Sequence, residues 1–280
     1  MAAGAIAAGR RAPGGAIAAY LAVAFGGAWL LWGLAWRTTH GQAAGLPLMA
    51  LIILGSFAPF PGAAVATAME GGVMGAVRFF ARGFNPKMGW GVFALAFCLT
   101  PALCILAVAI DAARTHGHFA FQITWADLPV TYLFLFFLGG AVNEEFGWSY
   151  LSDKLDELVP MLPGTLVLGI VWAVWHLPLF YIVAPGLTQY YTPFGAFLLG
   201  AVAMRALFSW AYHRSGRNIL SNIVFHNSLN LGYSIVAVAP SPTHPDTTAL
   251  WILVGLAALC AAAIWHFKPV RRGAEVSDAA

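Results

Sequence analysis

Charge is what this chain has least of. Of its 280 residues only 9% are Asp, Glu, Lys or Arg, against 60% hydrophobic, whereas a water-soluble domain carries about 25% charged residues. That scarcity excludes a soluble enzyme, and a formal net charge of +3 is too small to mark a nucleic-acid partner. Cysteine is scarce as well. Cys98, Cys104 and Cys260 each lie inside an apolar run, with neither metal-ligand spacing nor a disulfide pattern, and read as small packing residues. No HExxH stretch occurs, which excludes a zincin as a sequence match. Internal repeats, low-complexity tracts and a soluble domain are also lacking.

Apolar runs of membrane length are abundant. A spanning helix needs ~20 mostly apolar residues, and on that rule about eight spans are expected: 16–36, 47–69, 89–110, 128–150, 162–184, 193–213, 218–239 and 247–267. The expected fold is therefore all-α, a polytopic membrane helical bundle. One transmembrane domain is expected over 15–267, between a flexible N-terminal tail (1–14) and a disordered C-terminal tail (268–280). Arg10 and Arg11 precede the first run in the manner of a signal peptide, but that run is long enough to stay as a helix. Pro59 and Pro61 should kink the second span, and Pro101 the third. Residues 70–88, with Arg78, Phe79, Phe80 and Arg82, read either as an amphipathic helix on anionic lipid or as a basic loop.

The Lys and Arg residues fall mostly on one side. With eight spans, both termini share the side holding Arg10, Arg11, Arg78, Arg82, Lys87, Lys154, Arg214, Arg217, Lys268, Arg271 and Arg272, while the other side holds Arg37 and Arg114. The positive-inside rule then places both termini in the cytoplasm and the protein in the cell membrane as a multi-pass chain.

Acids inside the bilayer are costly, on the order of 2.5–3.5 kcal/mol each on insertion scales. Nine of the eleven acids are expected in loops, span ends or tails. The exceptions are Glu144 and Glu145, adjacent in the stretch Asn143-Glu144-Glu145-Phe146-Gly147-Trp148. Two later spans carry polar groups of their own. Trp172 and His176 are four residues apart, as are His226 and Asn230, so each pair shares a helix face. All five polar residues, Glu144, Glu145, His176, His226 and Asn230, are expected in one membrane-buried cavity. A carboxylate can deprotonate water, a histidine can position it, and His or Asn can hold an oxyanion. Glu144, His176 and His226 could equally bind a divalent metal such as zinc. Interhelical hydrogen bonding and a proton-coupled carrier use the same residue types.

The ordered set Glu144-Glu145-Phe146-Gly147-Trp148, Trp172-x-x-x-His176 and His226-x-x-x-Asn230 resembles the three motifs of the CPBP family, the CAAX protease and bacteriocin-processing (Abi) intramembrane endopeptidases. The likeness covers roughly 128–235. It implies that Glu144 activates the hydrolytic water with help from His176, and that His226 and Asn230 hold the oxyanion. It also implies a peptide or lipidated protein substrate, prenylated or bacteriocin-like, met within membrane lipid. No cofactor is required on that mechanism, although members are also described as metalloproteases. The family's first motif usually runs E-E-x-x-x-R, and here Ser149 stands at the arginine position. That departure leaves open an inactive relative serving as an immunity or scaffold protein. It also leaves the counter-charge to be found elsewhere. Arg205 sits about eight residues inside its span and is expected to pair with Glu145, the alternative being a side chain that snorkels to the headgroups.

Overall fold

The computed structural model describes residues 13–40 and 47–270. Ten α-helices follow in order: α1 (Pro13–Thr39), α2 (Leu48–Ser56), α3 (Pro59–Ala81), α4 (Trp90–Thr115), α5 (Leu128–Leu138), α6 (Ala141–Leu158), α7 (Met161–Trp175), α8 (Phe194–Arg214), α9 (Ile219–Ile235) and α10 (Thr248–Phe267). Short 3₁₀ turns lie at Arg82–Phe84, Leu177–Tyr181 and Gln189–Tyr191. The fold is an all-α membrane bundle. Nearly all of the expected tails, 1–14 and 268–280, lies outside the described residues, and residues 13 and 14 already belong to α1.

Among the described residues six segments are long and apolar enough to cross a bilayer: Gly14–Thr39, Leu48–Phe84, Trp90–Thr115, Met161–Tyr181, Phe194–Arg214 and Thr248–Phe267. The two other expected spans depart from that pattern for a physical reason. The fourth is split at Gly139 and Gly140 into α5, 11 residues long, and α6, 18 residues long. The seventh is α9, 17 residues long and buried along most of its length among polar partners. Helix α5 is apolar and unburied but too short to cross a bilayer alone, whereas α6 and α9 turn polar residues into the bundle and need not be apolar.

The prolines act differently from one another. Pro59 opens α3 after a break at Phe57 and Ala58, the first-turn position where a missing N–H costs nothing, while α4 continues through Pro101 as one helix. Close approach sets the packing of α6 on α3, where a Cβ at Gly147 would lie 2.7 Å from the Pro59 carbonyl oxygen. Small residues at such crossings let backbones meet.

Residues 70–81 are helical rather than a loop, with the chain leaving helical geometry at Gly72. Their aromatic side does not lie on lipid: Phe79 is buried against Tyr150, and Phe80 packs on Phe60 and Phe146. The exposed apolar residues here are Val73, Met74 and Val77.

One end of the bundle gathers the basic side chains into an ion-pair network. Asp153 accepts from Arg82 at 2.7 Å, Tyr212 at 2.8 Å and Arg217 at 3.1 Å. Arg82 also donates to Tyr212, and to the Arg217 carbonyl at 3.0 and 2.8 Å. Asp156 accepts from Arg217 at 3.0 Å and pairs with His213 at 2.7 Å. Asp153 and Asp156 therefore belong to helix α6 and to this network, not to a loop. At the same end Asn218 donates to the carbonyl of Asn85, and Trp210 to that of Lys268. The opposite end carries 116–127, 182–193 and 236–247, joined in part by Gln122 N–H donating to the Ile235 carbonyl.

Candidate active site

The break between α5 and α6 creates the site. Gly140 adopts φ +104°, a left-handed conformation in which any side chain is strained, and an added Cβ there would lie 2.5 Å from Glu144 Oε1. Helix α6 thus starts inside the bundle with Glu144 in its first turn, where the positive end of the helix dipole favours a carboxylate. Asn230 on α9 donates to the carbonyl of Gly139 at 2.7 Å. That bond satisfies a carbonyl freed by the break and ties it to the third motif.

The two glutamates have opposite surroundings. Glu145 is fully buried, and both its oxygens are consumed. Arg205 grips it as a two-pronged fork, one nitrogen to Oε2 at 2.8 Å and the other to Oε1 at 3.0 Å. His226 Nδ1 adds a third bond to Oε1 at 2.9 Å. The guanidinium lies over the Trp172 ring at 4.5 Å and the Phe208 ring at 5.1 Å, so aromatic faces solvate its charge from the sides. Arg205 therefore faces the interior and does not snorkel; it is itself completely buried. Ser149, at the motif's usual arginine position, accepts a 3.2 Å hydrogen bond from Asn222.

Glu144 has one oxygen held and one left over. Its Oε2 accepts from the indoles of Trp172 at 2.8 Å and Trp148 at 3.1 Å. The side chain borders a cavity of about 530 Å³ that His176, His226 and Asn230 also line, among mostly apolar residues such as Trp32, Phe197 and Leu229. Four of the five expected residues thus meet in one cavity. Glu145 does not line it; it stands behind the wall with Arg205.

The histidine tautomers follow from their partners. His176 Nδ1 lies 2.8 Å from the Trp172 carbonyl, which can only accept, so Nδ1 carries the proton and Nε2 is left as an acceptor in the neutral ring. His226 Nδ1 likewise donates to an ionised Glu145, leaving Nε2 free. Among the described residues no three His, Cys, Asp or Glu side chains are arranged to hold a metal ion.

Trp148 and the indole role of Trp172 were not anticipated, although a signal was present: Trp148 follows Glu144 by four residues and so stands on the same helix face. Gly140 could not be singled out among the 30 glycines of the chain.

A helical membrane bundle with an acid–histidine cavity buried inside it has the form of an intramembrane hydrolase. The family model described as "Type II CAAX prenyl endopeptidase Rce1-like" matches residues 125–232, the segment that supplies both glutamates, both histidines, Arg205 and Asn230. A protein of Methanococcus maripaludis named "CAAX prenyl protease 2" is 25% identical over 189 residues, covering 62% of this chain and 68% of the relative. Over that segment the chain is similar to CAAX-type intramembrane endopeptidases. It is a multi-pass membrane protein.

Proposed function

We propose that the chain hydrolyses a peptide bond of a membrane-associated substrate, a peptide or a lipidated protein, with Glu144 as the base that activates water. The observation that carries this reading is the asymmetry of the acid pair: Glu144 lines the cavity with one oxygen uncommitted, while Glu145 is fully paired behind it. Glu144 takes a proton from water, and the resulting hydroxide attacks the scissile carbonyl carbon. His176, through Nε2, orients that water. The proton on Glu144 then passes to the leaving amine as the C–N bond breaks, which restores the carboxylate.

The oxyanion is held by Asn230 and His226. Asn230 has a second N–H beyond the one given to Gly139. An N–H on His226 Nε2 requires the imidazolium form, since Nδ1–H is committed to Glu145. With that proton the charges of Glu144, Glu145, Arg205 and His226 sum to zero, which suits a site of low dielectric. Glu145 and Arg205 act by positioning His226 and neutralising the cluster, the part a motif arginine would play at Ser149. No metal is needed for any of these steps.

The test is cleavage of a lipidated peptide library in proteoliposomes by wild type, Glu144→Gln and His176→Ala, with and without a chelator. We expect chelator-insensitive turnover that both substitutions abolish. A folded Glu144→Gln protein that cleaves at the wild-type rate removes Glu144 as the base, and chelator-sensitive turnover replaces the metal-free route.

A further inference from the structure

The cavity and the charges lie at opposite ends of the bundle. The long spans that line the cavity do so with the half nearer the other end: Trp32 lies in the second half of α1, Ala196 and Phe197 open α8, Leu250 starts α10, and Thr188 and Gln189 belong to the connecting segment after α7. No residue of 78–89 or 209–218, which form the basic end, borders it. That basic end is sealed by the buried Asp156–His213 pair and by the Arg82–Asp153–Tyr212–Arg217 network. Among the described residues it holds Arg78, Arg82, Lys87, Lys154, Arg214, Arg217 and Lys268, while the cavity end holds only Arg37 and Arg114. Membrane proteins keep such basic clusters in the cytoplasm.

We infer that the cavity is entered from the extracytoplasmic side, and that its substrate is an apolar, membrane-anchored peptide whose scissile bond lies in the extracytoplasmic leaflet. The substrate half of this inference rests on the hydrolase reading of the cavity; the access side does not. A protein held on the cytoplasmic face by a prenyl anchor would meet the sealed, charged end, with Glu144 and His176 beyond it. A chain that has been exported, or whose anchor sits in the outer leaflet, reaches the cavity directly. Its apolar anchor matches the mostly apolar wall, and Gln189 in that wall offers polar contacts to its backbone.

The experiment reads access without needing turnover. In the full-length protein with Cys98→Ser, Cys104→Ala and Cys260→Ser, single reporters are placed at Gln189→Cys, at Tyr190→Cys as a second reporter on the same turn, and at Lys87→Cys. A membrane-impermeant maleimide applied to intact cells should label the first two, and label Lys87→Cys only after permeabilisation. Labelling of Lys87→Cys alone in intact cells would overturn the inference. In a second arm, a lipid-anchored fluorogenic peptide is added outside right-side-out and inside-out vesicles. Cleavage is expected in the right-side-out vesicles; cleavage confined to the inside-out ones overturns the substrate assignment. Expected labelling with no cleavage in either orientation upholds the access side and counts against the hydrolase reading alone.

Discussion

Two clusters of paired charge sit along the same helix, α6, and differ in depth. At the basic end Asp153 and Asp156 meet Arg82, Arg217, Tyr212 and His213, with Arg217 43% and Arg82 29% exposed. Two turns inward, Glu145 meets Arg205 and His226 with both members of the Arg–Glu pair essentially inaccessible. Water screens Arg82, Arg217 and Asp153 in the outer network and can replace a lost partner there, although its Asp156–His213 pair is itself buried. Nothing replaces one at Glu145, where an unpaired charge would be left buried. The outer cluster closes the bundle, and the inner one holds a histidine at the wall of a cavity. Identical pair chemistry therefore carries different consequences, and substitutions separate the two.

The largest effect is expected from Arg205→Ala, which strands the Glu145 carboxylate. We expect a stability loss of about 3–5 kcal/mol together with loss of activity, measured by thermal unfolding in detergent. Adding Glu145→Ala should recover part of that loss, since both charges are then gone; strict additivity of the two changes would mean that the pair is not coupled. Asn230→Ala comes next. It removes an oxyanion donor and the bond to Gly139, and turnover should fall roughly 100- to 1000-fold with Km changed less than kcat.

Gly140→Ala should cost about 1–3 kcal/mol, the usual range for a residue held in a sparsely populated conformation, and should depress activity further by crowding Glu144. Gly14→Ala, in open space at the start of α1, is the matched control and should change neither. The smallest effect is expected at the outer cluster. Arg82→Ala should lower stability by about 1–2 kcal/mol and leave turnover of a folded protein near wild type. An Arg82→Ala protein as damaged as Arg205→Ala would erase the distinction between the two depths.

The difference in depth also explains what could be read from the residues alone. The apolar runs of α1, α4 and α10 announce themselves because lipid imposes length and hydropathy on a helix that faces it. The break at Gly139 and Gly140 leaves no such trace. The apolar run from Leu128 continues to Val142 straight across it, and a glycine pair within an apolar run is compatible with an unbroken helix. The pairing of Arg205 with Glu145 was legible because a mid-span arginine has few partners to choose from. The outer network was not, because Asp153, Asp156 and Arg217 have the composition of an ordinary basic loop, and only packing shows that α6 carries both acids into contact with α8. Trp148 was visible as a residue but not as a ligand of Glu144, since a buried tryptophan at helical spacing is most often core.

The central claim is that the two adjacent glutamates divide their work, Glu144 acting on water and Glu145 holding the cluster together. The most direct measurement is single-turnover cleavage in proteoliposomes by Glu144→Gln and Glu145→Gln, with thermal unfolding run on the same samples. We expect Glu144→Gln to unfold like wild type, because its amide oxygen still accepts from Trp148 and Trp172, and to show no cleavage. Glu145→Gln should be strongly destabilised, leaving the Arg205 charge buried and unpaired. A Glu144→Gln protein that cleaves normally, or a Glu145→Gln protein that is fully stable, would contradict that division.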